Sequence, residues 1–238
     1  MRNVFKFFTI TGAAIVPRRV VVDVNRCKRC HVPHLSLHGD NRTDEPQVCV
    51  MCHNPNQTDI PFRTSGPETP MDFKYMVHAI HAGGFRKNAF VVIGRNGSVN
   101  DFSGVRFPAE LRNCLNCHVD RAFELPLASN VLGTTIVTRS TYGPPKIVDG
   151  DPSNDLNITP TAAVCSACHD GRGAADHMRR NGGAFAVLQA DIDSGLVTER
   201  CVNCHGPGRK KDVRRVHEIG RREAEEEGRV NVADTRTR

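Results

Sequence analysis

Every cysteine of this 238-residue chain lies in a Cys-x-x-Cys-His pentapeptide, and there are five of them. They run Cys27 to His31, Cys49 to His53, Cys114 to His118, Cys165 to His169 and Cys201 to His205, and no cysteine is left over. This spacing reads as covalent attachment of c-type haem. Cys27 and Cys30, Cys49 and Cys52, Cys114 and Cys117, Cys165 and Cys168, and Cys201 and Cys204 would each bond one porphyrin. The adjacent His31, His53, His118, His169 and His205 would ligate the irons from below. The constraint on the fold is severe. Five haem c groups on a chain this short supply much of the apolar material, and the polypeptide must wrap them. Aromatic residues are only 5% and hydrophobic residues 39% of the chain, with no tryptophan, which is thin material for a large core of side chains. Twenty glycines and fourteen prolines limit long regular elements. The expected fold is therefore mainly α and irregular, short helices and loops around five covalent haems. Little β structure is expected, with short strands near the N-terminus and at residues 89–99.

Other uses of paired cysteines fit less well. Structural zinc needs two pairs per site, or a pair with two histidines, and five pairs do not divide that way. Redox-active Cys-x-x-Cys occurs once per domain. A disulfide scaffold explains an even cysteine count but not a histidine after every pair.

The second axial ligand sets what a haem iron can do. Six histidines lie outside the motifs: His34, His38, His78, His81, His177 and His217. His78 and His81 lie in the clearest helical pattern, with Thr69 as N-cap, Pro70 at the first position, Asp72 in the first turn and Gly83 at the C-terminal end. At i and i+3 they share a helix face. Two ligands of one iron approach from opposite sides of the porphyrin, so His78 and His81 should serve two different haems. His34 and His38 compete for one role. His34, three residues beyond His31, is poorly placed to reach the far side of that haem and suits solvent or a propionate. His177 has Met178 beside it as a rival ligand, and His217 could instead be an exposed residue of a charged helix. The preferred distal set is His38, His78, His81, His177 and His217, one per iron. No iron then keeps an open position, and outer-sphere electron transfer is favoured over bond chemistry on a substrate.

The motifs are spaced 22, 65, 51 and 36 residues apart by first cysteine, so one-haem units do not repeat regularly. Residues 1–24 read as a strand-like lead-in, 25–218 as the haem domain and 219–238 as a charged tail, helical or disordered. Asn96-Gly97 predicts a hairpin or a loop with short strands. Residues 119–164 read as a long loop with at most one short hairpin near Gly133 to Ser140. The formal charge of +6 is offset by ionised propionates, and the basic stretch at 209–215 has no interleaved aromatics, so nucleic acid is not an expected partner. No transmembrane segment is seen. Thioether attachment of haem normally takes place outside the cytoplasm. The lack of a convincing export signal predicts that the chain lacks its true N-terminus or is a module of a longer polypeptide.

Several segments, in order, resemble the OmcA/MtrC-type outer-membrane decahaem cytochromes. They are Pro17 to Asp23 before the first motif, Leu35 to Asp44, Cys49 to Asn56, the paired-histidine stretch Asp72 to Gly83, Asp101-Phe102, Leu111 to Cys114, and the last two motifs. The resemblance covers residues 17–218 and is to one pentahaem domain. It implies His38, His78, His81, His177 and His217 as distal ligands. It also implies a periplasmic, outer-membrane-associated or extracellular location, with other cytochromes or redox proteins, flavins or ferric minerals as partners. An electron carrier is expected rather than an enzyme. The alternatives are a multihaem reductase of nitrogen or sulfur oxyanions with one open haem, and a haem-bearing subunit of a homo-oligomer, polymer or larger electron-transfer complex.

Overall fold

Acidic side chains start several of the helices. In the computed structural model, which describes residues 3–38, 41–142 and 146–220, α1 (Val24–Cys27) is capped by Asp23, whose carboxylate accepts from the Asn25 amide at 2.9 Å. Next come β1 (Ser36–Leu37) and β2 (Arg42–Thr43), a short antiparallel pair. Helix α2 (Pro46–Cys52) has Glu45 as its cap and Pro46 at the first position. The paired-histidine helix, α3 (Phe73–Ala82), begins at Asp72, not at Thr69. Thr69 instead belongs to the extended chain before the helix, donating its hydroxyl to the Val91 carbonyl at 2.7 Å. Gly83 ends α3 for a packing reason. A Cβ there would lie 1.9 Å from the Phe102 carbonyl oxygen.

Strands β3 (Val91–Ile93) and β4 (Val99–Asp101) pair antiparallel across the Asn96-Gly97 turn, with Val91 opposite Asp101 and Ile93 opposite Val99. Farther along are β5 (Thr134–Val137), β6 (Leu156–Ile158), α4 (Pro160–Ser166), α5 (Arg172–Arg180), β7 (Phe185–Val187), α6 (Gln189–Asp193), α7 (Val202–His205) and α8 (Val213–Val216). The core sits where α3, the β3–β4 pair, β6 and α4 meet. It contains Tyr75, Ala79, Phe90, Val92, Ile158, Ala162, Ala163, Ala167 and Met178. Ala79 and Ala163 are fully buried, and such small side chains let two helices approach closely.

The expectation of little β structure is corrected by seven strands in three antiparallel sheets among the described residues. The largest, in the order β5-β6-β7, lies within and beyond the stretch read as a long loop. Its pairing is long-range: Thr134 pairs with Ile158, and Asn157 pairs with Val187. This sheet is threonine- and asparagine-rich yet buried. Thr134 and Thr135 are inaccessible, and the Thr135 hydroxyl bonds the Asn157 side chain at 3.0 Å, so the polar groups are satisfied by one another. Residues 3–21 form no strand, although they are β-branched and aromatic. A single bridge, Val22 to His118, ties the lead-in to the third motif. Of the charged tail, residues 221–238 lie outside the described residues.

Candidate haem-binding sites

All five motifs adopt the same helical turn. The histidine amide donates to the carbonyl of the first cysteine at 2.8–3.0 Å in every case, His31 to Cys27 through His205 to Cys201. Positions i, i+3 and i+4 of a helical turn share one face, so each motif presents two sulfurs and an imidazole together. The motifs sit differently in the fold. Cys27 ends α1, Cys49 and Cys52 lie in α2, Cys114 opens a 3₁₀ turn (Cys114–Asn116), Cys165 lies in α4 and Cys201 precedes α7. No disulfide links any of the ten cysteines. Burial pushes Cys114, Cys168 and Cys201 up to about 11 and Cys165 up to about 12.

Each motif imidazole faces one imidazole from outside the motifs. His31 lies 6.1 Å from His81 between ring centroids, His53 6.0 Å from His38, and His118 5.8 Å from His78. His169 lies 6.0 Å from His217, and His205 lies 6.1 Å from His177. His78 and His81, one turn apart on α3, thus reach toward two different motifs. The last two motifs exchange partners: His177, just after the fourth, faces the fifth, and His217, after the fifth, faces the fourth. His34 has no such partner. Its Nδ1 bonds the Asp44 carboxylate at 2.8 Å, and Lys28 Nζ lies 3.3 Å from the same oxygen.

These arrangements fit a six-coordinate haem iron. Two imidazoles on one metal, at roughly 2 Å per bond, put ring centroids roughly 6 Å apart. Ligation needs neutral rings with a free Nε2. His78 and His81 direct Nδ1 to the Lys74 and Val77 carbonyls at 2.5 and 2.8 Å. His53, His205 and His217 do the same with Met71, Lys211 and Val213 at 2.9–3.0 Å. Such bonds fix the tautomer and the ring orientation. Burial keeps His31, His53, His78 and His169 below the ordinary histidine range. Burial and then the neighbouring His78 take His118 down to about 4.

The groups that hold the motifs against one another lie outside the motifs themselves. The Arg26 guanidinium donates to the Leu115 and His118 carbonyls, and the Asp23 amide to the Cys117 carbonyl at 3.0 Å, clasping the first motif to the third. Across this clasp the Cys27 and Cys117 thiols act on each other, raising the first and lowering the second. Arg86, stacked on Tyr75 and Phe90, donates to the Ser166 and Ala167 carbonyls and pairs with Asp170 at 3.6 Å. Glu199, two residues before Cys201, accepts from the Thr159 hydroxyl and the Thr161 and Ala162 amides at 2.7–2.8 Å. It caps α4 from 37 residues away, where Thr159 provides no side-chain cap. These contacts link distant segments, so neither spacing nor composition points to them.

Residues 19–218 match the family described as outer membrane cytochrome MtrC/MtrF-like, domains II/IV. The chain belongs to this family. MtrC/MtrF-like cytochromes are haem proteins of electron transfer at the outer membrane or beyond it. Among the described residues no helix is long and apolar enough to cross a membrane. The crystal structure of the outer membrane decaheme cytochrome OmcA aligns at a TM-score of 0.46 and 21% identity, over 88% of this chain and 27% of that one. The chain therefore spans about a quarter of that longer cytochrome. Comparison with curated proteins finds no match.

Proposed function

We propose that this MtrC/MtrF-like chain is a pentahaem electron-transfer module in which every iron has two histidine ligands. The observation that carries the reading is the one-to-one pairing of the five motif imidazoles with five others at 5.8–6.1 Å. The ligand pairs are His31 with His81, His53 with His38, His118 with His78, His169 with His217, and His205 with His177. The ten cysteines hold the porphyrins through thioethers. When bound, the haems supply one-electron exchange between ferric and ferrous iron.

The chain's part is to close both axial positions, hold the rings neutral and keep neighbouring sites in contact. Helix α3 fixes His78 and His81 one turn apart, so the first and third sites share a rigid support. The exchange of His177 and His217 interlocks the fourth and fifth sites in the same way. With both positions filled there is no place for a substrate on iron, so electrons pass outer-sphere to partners. Other cytochromes, flavins and ferric minerals are the partners this reading proposes.

The oxidised protein should carry the mass of five haems and show only low-spin ferric signals in its EPR spectrum. A stoichiometric high-spin signal, or ready cyanide binding by the untreated protein, would sink the closed-sphere reading.

A further inference from the structure

A cavity of about 720 Å³ opens between the second and third motifs, lined by His53, His78 and His118. Its wall also carries Arg18, Arg19 and Lys74. The two arginines have no carboxylate partner among the described residues. Arg18 reaches the Gln47 amide oxygen at 3.5 Å, and Arg19 reaches that of Asn130 at 3.0 Å. Lys74 Nζ bonds the Asp72 carboxylate and the Gly133 carbonyl, the latter at 3.3 Å.

Three acids line the same cavity, but each is engaged elsewhere. Asp23 caps α1 and Glu45 caps α2. Asp72 caps α3, accepts from the Thr134 hydroxyl at 2.6 Å and pairs with Lys74. Two guanidiniums therefore face the cavity without an anion to match them. Burial first, and Arg19 second, lower Arg18 below the ordinary arginine value, against the opposing pull of Asp72. Guanidinium is the side chain best shaped to hold a carboxylate by paired hydrogen bonds.

We propose that Arg18 and Arg19, with Lys74 behind them, form a binding site for haem propionates in this cavity. The inference rests on the pentahaem reading and assigns residues to it. The cluster provides the counter-charge for carboxylates that would otherwise enter an apolar wall unpaired. It also sets the potential of the haem it holds, because positive charge beside a propionate favours the reduced iron. Arg18 and Arg19 are positioning residues and touch no iron ligand.

The test is a spectroelectrochemical titration of the haem-loaded full chain. In the R18Q/R19Q variant part of the titration curve should move to lower potential, and the redox-difference infrared bands of propionate carboxylate should shift. Arg95, exposed in the turn between β3 and β4 and outside both the cavity and the motifs, provides the control: R95Q removes one charge away from the cavity and should leave the curve in place. If R18Q/R19Q holds five haems and titrates like the wild type, or if R95Q moves the curve as much, the proposal is overturned. Should R18Q/R19Q lose haem, R18K/R19K decides. Recovery of five haems by the charge-preserving pair supports the site, and equal loss assigns the arginines a structural role and ends it. A wild-type chain with fewer than five haems would defeat the pentahaem reading itself, independently of these variants.

Discussion

The second and fourth motifs share a pentapeptide and differ in almost everything around it. The fourth is built into the core. Ala162, Ala163 and Ala167 flank its cysteines and are at most 1% exposed, and both Arg86 and Glu199 clamp it from other parts of the chain. The second lies at the edge. Cys52 is exposed, Met51 is 70% exposed, and the facing His38 directly follows the two-residue strand β1 and has a left-handed backbone, φ 56°. The motif decides which atoms can bind haem, whereas the surroundings decide rigidity and dielectric. Burial disfavours the charged ferric centre, so the fourth site is expected to hold the higher potential of the two.

The comparison breaks most directly at Glu199. Replacing it with alanine leaves the Thr161 and Ala162 amides and the Thr159 hydroxyl without their acceptor, beside a helix that has no other cap. Losing a cap and stranding buried donors should cost about 3 kcal/mol. Chemical denaturation of the haem-loaded chain would measure it. The fourth and fifth sites should lose their low-spin signals together, because Glu199 joins them, while the second keeps its own. Loss confined to the fifth site would show that Glu199 acts only on its neighbours in sequence.

Arg86→Met comes next. It removes hydrogen bonds to two carbonyls of the fourth motif and the pair with Asp170, and leaves the stacking surface on Tyr75 and Phe90 partly filled. Asp170 is pushed up by burial but held below its ordinary range overall by the Lys87 and Asn88 amides and by Arg86. Without Arg86 that carboxylate keeps its two amide donors. The expected loss is therefore smaller, about 2 kcal/mol, read from the denaturation midpoint, again with the second site unaffected.

These two residues mark the limit of what the chain discloses by itself. The motifs, α3 and the β3–β4 turn are signalled by contiguous residues: a fixed spacing, two histidines at i and i+3, and Asn96-Gly97. Helix α3 starts three residues later than its pattern predicts, because Pro70 looks like a first helical position while Asp72 makes the cap. The three-stranded sheet was not legible. Its strands are Thr134–Val137, Leu156–Ile158 and Phe185–Val187, short, polar in part and far apart, with no alternation long enough to register. In the opposite direction, Val4 to Ile10 has strand-like residues but pairs with no strand, since β preference is realised only where a partner edge exists. Glu199, Arg86 and Arg26 act across 37 to 92 residues. A charged residue on its own carries no sign of which distant backbone it will meet.

His38→Ala probes the looser end of the comparison. His38 is exposed and in a strained turn, so its removal should change stability by less than about 1 kcal/mol. It should convert one haem in five to a high-spin or cyanide-binding form. The spectrum of the remaining four should stay low-spin. If His34 took over as ligand, no high-spin signal would appear in H38A, and the H34A/H38A pair would be needed to produce one.

The smallest effect concerns the pair that holds the hairpin beneath His38. The Asp44 carboxylate is bonded by His34, by the Leu35 amide at 2.9 Å and by Lys28. The His34 bond first, and then Leu35 and Lys28, outweigh burial and lower its pKa from 3.8 to about 2. A depressed carboxylate stabilises the folded state above its unfolded value and loses that contribution as pH falls through the folded one. The hairpin should therefore hold at pH 5 and loosen between pH 4 and about 2. An acid titration followed at the low-spin signal of the second site would show this before the fourth site responds. Asp44→Asn removes the charge, so its second site should be weaker at pH 5 and nearly flat over the same interval. An unchanged acid limb in D44N would place the acid sensitivity elsewhere, and the difference between the two motifs would then rest on packing alone.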